Sequence, residues 1–513
     1  MIVRIGKWAW MDGLSDVEKT QLEKMLTIYP AKMAEYGQIS EPIRLYRHGN
    51  TGEFGVARSY FLEKRTKNHK IIDMTTDGEP MSKFNSLVKF DGIHKEQRIA
   101  IDTLKNKMNI MKLGGLILDA EPGTGKTVMA LQLAFELGRK TMVLVHKEFL
   151  LSQWSDRIKQ FFPDARIGYV WQNKCEYENV DFTIGMIQSM TGGRDLKYPK
   201  EMFESYGLVI TDEVHRIGSL TWSDVISMFS ARWRLGVSGT VRRKDGAENV
   251  FYYHIGKKGY KLKTQSLIPK IKRLILDTNY SEYFAKTESG YSYKIPFGKM
   301  KTVHHIGALV EHRERNEYII DQVEEALKAG RKIMVLSERL EHLKDLSEML
   351  AERMLGLELG FRWRFDFYTG EWFTGKYKIK TIKTKLRIKK IEVETKRKRS
   401  ESELQLAGTA NVIFSTKQMV AEALDVPSLD VLILATPFSD VEQAVGRIRR
   451  PCKPSDKCYA TCPWRAEHCQ GKPDPIVVDI IDRDIFPIKR KWYTRSKYYV
   501  KIGAMSSDKA IID

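Results

Sequence analysis

Short runs of apolar residues recur through the middle of the chain, each followed by an amphipathic stretch. From about residue 93 the runs are Leu116–Leu118, Met142–Val145, Phe182–Ile184, Leu208–Ile210 and Leu235–Val237. None alternates with polar residues, which is the pattern of parallel strands buried on both faces. Helical periodicity between them predicts βαβ units and a doubly wound sheet. A second series begins near 311, with strands at Ile333–Leu336, Val412–Phe414, Val431–Leu434 and Ile476–Ile481 and a helix over Glu338–Met354. The expected fold is α/β, with two parallel-sheet domains in tandem, 93–255 and 311–490.

The flanking segments read differently. Residues 1–92 predict a small α+β domain: Val3–Met11 as a strand, Ser15 capping a helix over Asp16–Ile28 with Glu18 completing a capping box, and a hairpin turn at Gly49–Gly52 between Ile43–His48 and Glu53–Phe61. No catalytic constellation falls there, and contact with nucleic acid is its expected role. Residues 256–310, rich in Lys, Tyr and Gly, read as a connection with irregular structure, and 491–513 as a tail.

Composition narrows the function classes. The chain has 513 residues, too many for one core, and no apolar run long enough to span a bilayer as a helix. The N-terminus lacks the pattern of an export signal, so a cytoplasmic setting is expected. Net charge is +20, which favours a polyanionic partner. Half of that excess sits in Lys376–Arg399, where 12 Lys or Arg accompany only Glu392 and Glu394. Its apolar residues alternate with basic ones, with phase slips near Thr381 and Lys390, and predict a projecting β-hairpin over 376–399. Lys383, Lys385, Arg387 and Lys389 are its candidate phosphate contacts, followed by the basic run Lys396–Arg399. Cys452, Cys458, Cys462 and Cys469 cluster in an insertion over 451–472 punctuated by Pro and Gly. Four thiols so close can surround one structural Zn²⁺, although their spacing is no standard finger; reduced, unligated thiols are the alternative.

The clearest chemistry is Ala120-Glu121-Pro122-Gly123-Thr124-Gly125-Lys126-Thr127, between a predicted strand and a predicted helix. This is a phosphate-binding loop with Ala in place of the first Gly. Its backbone N–H groups and helix N-terminus cradle phosphates, Lys126 adds a point charge, and Thr127 offers a hydroxyl to Mg²⁺. Asp212 and Glu213, at the end of a later strand, are the candidate metal carboxylate and general base.

These motifs, in this order over roughly 93–485, resemble those of superfamily 2 helicases. The resemblance implies two RecA-like domains with ATP between them. It places Gln97 on adenine and Lys147, in Leu144–Trp154, on the phosphates of a bound strand. It makes Ser238-Gly239-Thr240 the coupling motif, and Asp425 (after Ala423, where the related branch has Gly) a nucleotide contact. Gln443, Arg447 and Arg450, in Gln443–Arg450, then act on the transferring phosphoryl group. Val237–Gly246 and Arg315-Asn316 resemble the XPB-like branch, which includes phage branch-migration helicases. The resemblance therefore implies a monomeric DNA motor using ATP and Mg²⁺ on branched or forked duplexes, away from membranes. RNA as the polymer, or a binding module with an inactive ATPase, are the alternatives.

Overall fold

The computed structural model describes residues 2–29, 41–65, 69–90, 95–121, 124–190, 197–214, 220–239, 246–262, 266–286, 292–356, 363–383, 388–422, 426, 428–450 and 472–510. Two compact units result, Met1–Thr264 and Gln265–Asp513.

In the first unit, eight described strands form one sheet. Its centre is five parallel strands in the order Phe182–Met186, Thr141–Val145, Leu208–Asp212, Trp233–Ser238 and Gly114–Asp119. Each contains one of the apolar runs, and almost every residue in them is buried. Helices Lys126–Leu137 and Glu148–Phe161 supply two of the crossovers. The edges carry strands the apolar pattern did not predict: Ile167–Trp171 with its short partner Lys174–Cys175 on one side, and Lys258–Lys261 on the other.

The N-terminal residues build a five-stranded sheet of their own. Val3–Met11 is not one strand: Ile2–Ile5 and Ala9–Met11 pair antiparallel around a turn at Gly6–Trp8. Ser15 and Glu18 form the expected capping box on helix Asp16–Leu26, with Thr27–Ile28 turning to a strand beyond it. The Gly49–Gly52 turn does join antiparallel strands, Tyr46–His48 and Phe54–Val56, but Arg58–Lys64 is helical.

This small sheet shares a core with the large one. Val3, Ile5, Phe54 and Tyr60 lie in the same buried cluster as Ile117, Met142 and Val209. Two buried arginines stitch the junction through backbone carbonyls. Arg58 donates to Ala231 O at 2.7 Å, and Arg234 donates to His254 O at 2.8 Å, Phe229 O at 3.1 Å and Lys7 O at 3.3 Å. Burial pushes the Arg58 guanidinium down to about 10.

The second unit holds a six-stranded, all-parallel sheet in the order Lys270–Leu276, Ile476–Asp482, Val431–Leu434, Ile333–Ser337, Val412–Thr416 and Phe365–Tyr368. The four central strands are those predicted; the two edges are additions. Residues 256–310, read as a connection, thus give an edge strand to each unit's sheet. They also form a separate hairpin, Glu282–Lys286 with Ser292–Pro296. The stretch read as a tail from 491 instead completes helix Phe486–Lys501, which buries Ile488, Trp492, Arg495 and Tyr499. Arg495 is bidentate to Asp479, with contacts of 2.7 and 2.8 Å.

The basic segment is a two-stranded antiparallel ribbon, Glu371–Lys383 with Ile388–Lys398. Its pairing runs unbroken from Tyr377 opposite Glu394 to Lys383 opposite Ile388, and Thr381 lies directly opposite Lys390. The slips expected at those two positions are therefore absent, and the irregularity lies between Phe373 and Tyr377. The ribbon's root is fastened by ion pairs: Lys344–Glu394 at 2.9 Å, Lys396–Glu341 at 2.8 Å, Arg399–Asp366 at 3.1 Å, and Arg397 with Glu403. Phe373 lies between two of those ammonium groups, 5.0 Å from Lys344 and 4.6 Å from Lys396. Lys396, Arg397 and Arg399, in the basic run expected to follow the hairpin, are thus engaged in holding the root.

Candidate active site

The candidate chemistry gathers at the C-terminal edge of the first sheet, where open parallel sheets bind ligands. Three adjacent strands end together there. Asp119 stands opposite Ser238, and Asp212 opposite Val237. Ala120 N–H donates to Ser238 O at 2.9 Å, so the start of the phosphate loop is tied to the coupling motif. Gly125 caps the following helix with φ +80°, in the left-handed region, and a Cβ there would come within 2.8 Å of Gln97 Nε2. Backbone freedom is what requires glycine, because Gln97 Nε2 is the far end of a flexible side chain and can give way. Gln97 lies against the loop, its amide donating to Thr124 O at 2.8 Å.

Lys126 forms an ion pair with Glu213, whose other oxygen accepts from Ser238 Oγ at 3.3 Å. Glu213 has φ +48°. A non-glycine residue in the left-handed region is strained, and such strain concentrates at functional positions. Asp212, 6% exposed, accepts from Glu213 N–H at 2.9 Å and from the Trp154 indole at 3.0 Å. Burial holds the Asp212 carboxyl above its usual range, with Lys126 acting in the opposite sense.

The structure therefore brings Gln97, Ala120, Thr124, Gly125, Lys126, Asp212, Glu213 and Ser238 into one connected constellation. Thr127 follows Lys126 in the helix, and Lys147, just beyond the neighbouring strand Thr141–Val145, is the N-cap of Glu148–Phe161. A carboxylate at the strand end and a hydroxyl in the first turn of the helix are the donor set that suits Mg²⁺, so Asp212 and Thr127 are where it would be held. Glu121 and Gly239 are placed in the loops beside them. Sequence reasoning missed Trp154 as a partner of Asp212. Its spacing with Leu150, Leu151 and Ile158 reads as core, and periodicity carries no trace of where an indole N–H points.

In the second unit, Gln443 and Arg447 stand one turn apart on helix Glu442–Ile448, and Arg450 follows at the next helical spacing. Arg447 Nε donates to Val420 O at 3.0 Å. Arg449 between them is mostly buried and donates to Leu267 O at 3.0 Å. Pro122, Gly123, Thr240, Asp425, Lys385, Arg387, Cys452, Cys458, Cys462 and Cys469 lie outside the described residues, as do the side chains of Lys383 and Lys389. Among the described residues no cluster of His, Cys, Asp or Glu could hold a metal by itself, and no helix is long and apolar enough to cross a membrane. Cys175 is half-buried, its Sγ 3.6 Å from Met202 Sδ.

Residues 92–243, which contain this constellation, match the family described as Type III restriction enzyme, res subunit. Over that stretch the chain resembles an ATP-dependent helicase motor. An Acanthamoeba polyphaga mimivirus protein named ATP-dependent RNA helicase L396 is 26% identical over 98% of this chain and 85% of its own length. Helicase D10 of Escherichia phage T5 is 23% identical over 81% of each chain. Among solved structures, T4 UvsW aligns over 98% of both chains with a TM-score of 0.36 and 14% identity. In this helicase the loop, acidic-pair and coupling motifs fall on three neighbouring strands, which explains why residues so far apart in sequence share one site.

Proposed function

We propose that this helicase hydrolyses ATP at the first sheet's edge to drive movement along nucleic acid, acting on branched or forked DNA. The observation that carries the reading is the Lys126–Glu213–Ser238 chain of contacts, with Glu213 held in a strained conformation. Lys126 serves the β- and γ-phosphates, and their negative charge competes with Glu213 for its ammonium. Glu213, so released, accepts a proton from the attacking water as general base. Asp212 and Thr127 would hold Mg²⁺, which would supply charge neutralisation at the phosphates. Gln97 reads the adenine, Asp425 contacts the nucleotide, and Gln443, Arg447 and Arg450 stabilise charge on the transferring phosphoryl group. Ser238, Gly239 and Thr240 couple this site to the polymer.

Lys147 and the ribbon residues Lys383, Lys385, Arg387 and Lys389 grip phosphates without reading sequence. The segment-level reading is a front domain at 1–92 that contacts DNA, a motor at 93–255 and 311–490, and a Cys-rich insertion at 451–472 stapled by Zn²⁺. The resemblance to the XPB-like branch supports DNA as the polymer and branched structures as substrate. The name of the mimivirus relative favours RNA as a second reading. Steady-state ATP hydrolysis with forked DNA, linear duplex, single-stranded DNA and RNA separates them. The DNA reading expects the highest kcat with the fork. Stimulation by RNA alone would overturn it, and no hydrolysis with any polymer in folded protein would overturn the enzyme itself.

A further inference from the structure

The carboxylate assigned to the metal is steadied by a side chain from another element. Trp154 lies on helix Glu148–Phe161, is 1% exposed, and donates its indole N–H to Asp212 Oδ2 at 3.0 Å. Glu213 N–H occupies Oδ1 at 2.9 Å, so one donor sits on each oxygen and the carboxylate plane is fixed. Packing alone does not call for an indole here. Leu150, Leu151 and Ile158 line the same buried helix face with purely apolar groups. A buried N–H paired with a carboxylate is a charge-assisted bond, stronger and more directional than a neutral one.

The same helix starts just after Lys147, the proposed strand contact. Strand Thr141–Val145 runs beside Leu208–Asp212, with Leu144 opposite Thr211, and leads directly into His146 and Lys147. Lys147 is the N-cap residue of that helix, and its carbonyl accepts from Leu150 N–H at 3.1 Å. Trp154 is seven residues further on, about 10 Å along the axis. A fully hydrogen-bonded helix carries displacement at its first turn to a side chain two turns later. Here that side chain ends on the metal carboxylate.

We propose that Trp154 is a positioning residue that transmits polynucleotide engagement at Lys147 to the geometry of Asp212. This rests on the proposed function, in which Lys147 contacts the bound strand and Asp212 the metal. The link works in both directions. A strand seated at Lys147 sets the Asp212 plane for hydrolysis, and a nucleotide that draws on Asp212 alters the grip at Lys147.

Trp154→Phe retains an aromatic ring in the core and removes the donor. The measurements are ATP hydrolysis with and without a saturating single-stranded DNA oligonucleotide, the oligonucleotide Kd, the KM for ATP and the melting temperature. The expected result is about a tenfold fall in the stimulation ratio, with KM and Kd within about twofold of wild type. A residue needed only for packing would lower basal and stimulated rates in proportion and reduce the melting temperature, and an unchanged ratio overturns the link. A wild-type enzyme that hydrolyses ATP but ignores every polynucleotide overturns the functional reading along with it. An unchanged ratio in the variant beside a responsive wild type overturns the link alone. Should the variant not fold, hydrogen exchange in the wild-type chain decides. Oligonucleotide without nucleotide should protect the peptides covering 148–158 and 208–214 together, and protection of the first alone overturns the proposal.

Discussion

The two units share one architecture and use it differently. In the first, the reactive side chains sit at the ends of adjacent strands and are cross-linked to one another: Lys126 to Glu213, Glu213 to Ser238, Asp212 to Trp154. In the second, the described motif residues ride on the short helix Glu442–Ile448, and Arg447 is oriented through the backbone at Val420. The additions are distributed unequally as well. The first unit's N-terminal sheet is fused into its core, by shared apolar packing and the buried Arg58 and Arg234. The second unit's ribbon is a sheet of its own, fastened at the root by ion pairs. A fused addition can stiffen and position the motor. The described ion pairs of the ribbon lie at its root.

The comparison breaks first at the proposed base. Glu213→Gln should lower kcat by about 1,000-fold, within the range general-base removal produces, while nucleotide binding and melting temperature stay near wild type. Arg447→Ala, in the other unit, should do comparable damage if the phosphoryl charge depends on it. A loss of less than tenfold for Arg447→Ala would mean that the second unit's contribution is mechanical and the chemistry belongs to the first alone.

The next effect concerns the ribbon. Replacing Lys383, Lys385, Arg387 and Lys389 together with Ala should weaken forked-DNA binding by roughly 50-fold and flatten the log–log salt dependence by about 3, at somewhat under one unit per phosphate contact. ATP hydrolysis without polymer should be unaffected. Equal loss for forked and linear duplex would show that the ribbon adds affinity without choosing structure. An unchanged salt slope would make it a solvated face. Lys344→Ala, at the root, should give a smaller affinity loss with the slope preserved, because it loosens the ribbon's aim and leaves its charges in place.

The legible and illegible parts of the chain divide along physical lines. Central strands such as Leu208–Asp212 are buried on both faces, so burial imprints an unbroken apolar run. Edge strands are not. Lys270–Leu276 mixes Lys and Arg with aliphatics and buries none of its residues fully, so it is hard to distinguish from a surface connection. The phosphate loop was readable because its geometry forces residue identity: Gly125 holds φ +80°, which side chains rarely adopt. Lys396–Arg399 shows the opposite case. A basic run has the same composition whether it meets phosphates or Glu341, Glu403 and Asp366, and only the fold tells which.

The smallest effect sets the two cores against each other through acid. Each unit buries an imidazole pushed down to about 3 by burial, His254 in the first and His342 in the second, and His305, also buried in the second, is lowered by the same cause. A free histidine titrates near 6.5, so below that pH the unfolded chain takes up protons the folded chain refuses. Stability from His254 and His342 is complete above about pH 6.5 and is lost as pH falls toward 3, amounting to about 2 kcal/mol per imidazole at pH 5. Asp212 and Asp430, both raised by burial, titrate in the opposite sense, so total stability against pH does not isolate the histidines. Substitution does. His254→Asn should lower the pH 7 to pH 5 loss by about 2 kcal/mol in the urea transition of the first unit and leave the second unit's unchanged. If the N-terminal sheet and the motor sheet are one cooperative body, as their common core implies, that change appears in a single transition spanning residues 1–264. Two separate transitions within that stretch, only one of them altered, would show that the junction through Arg58 and Arg234 yields before either sheet does.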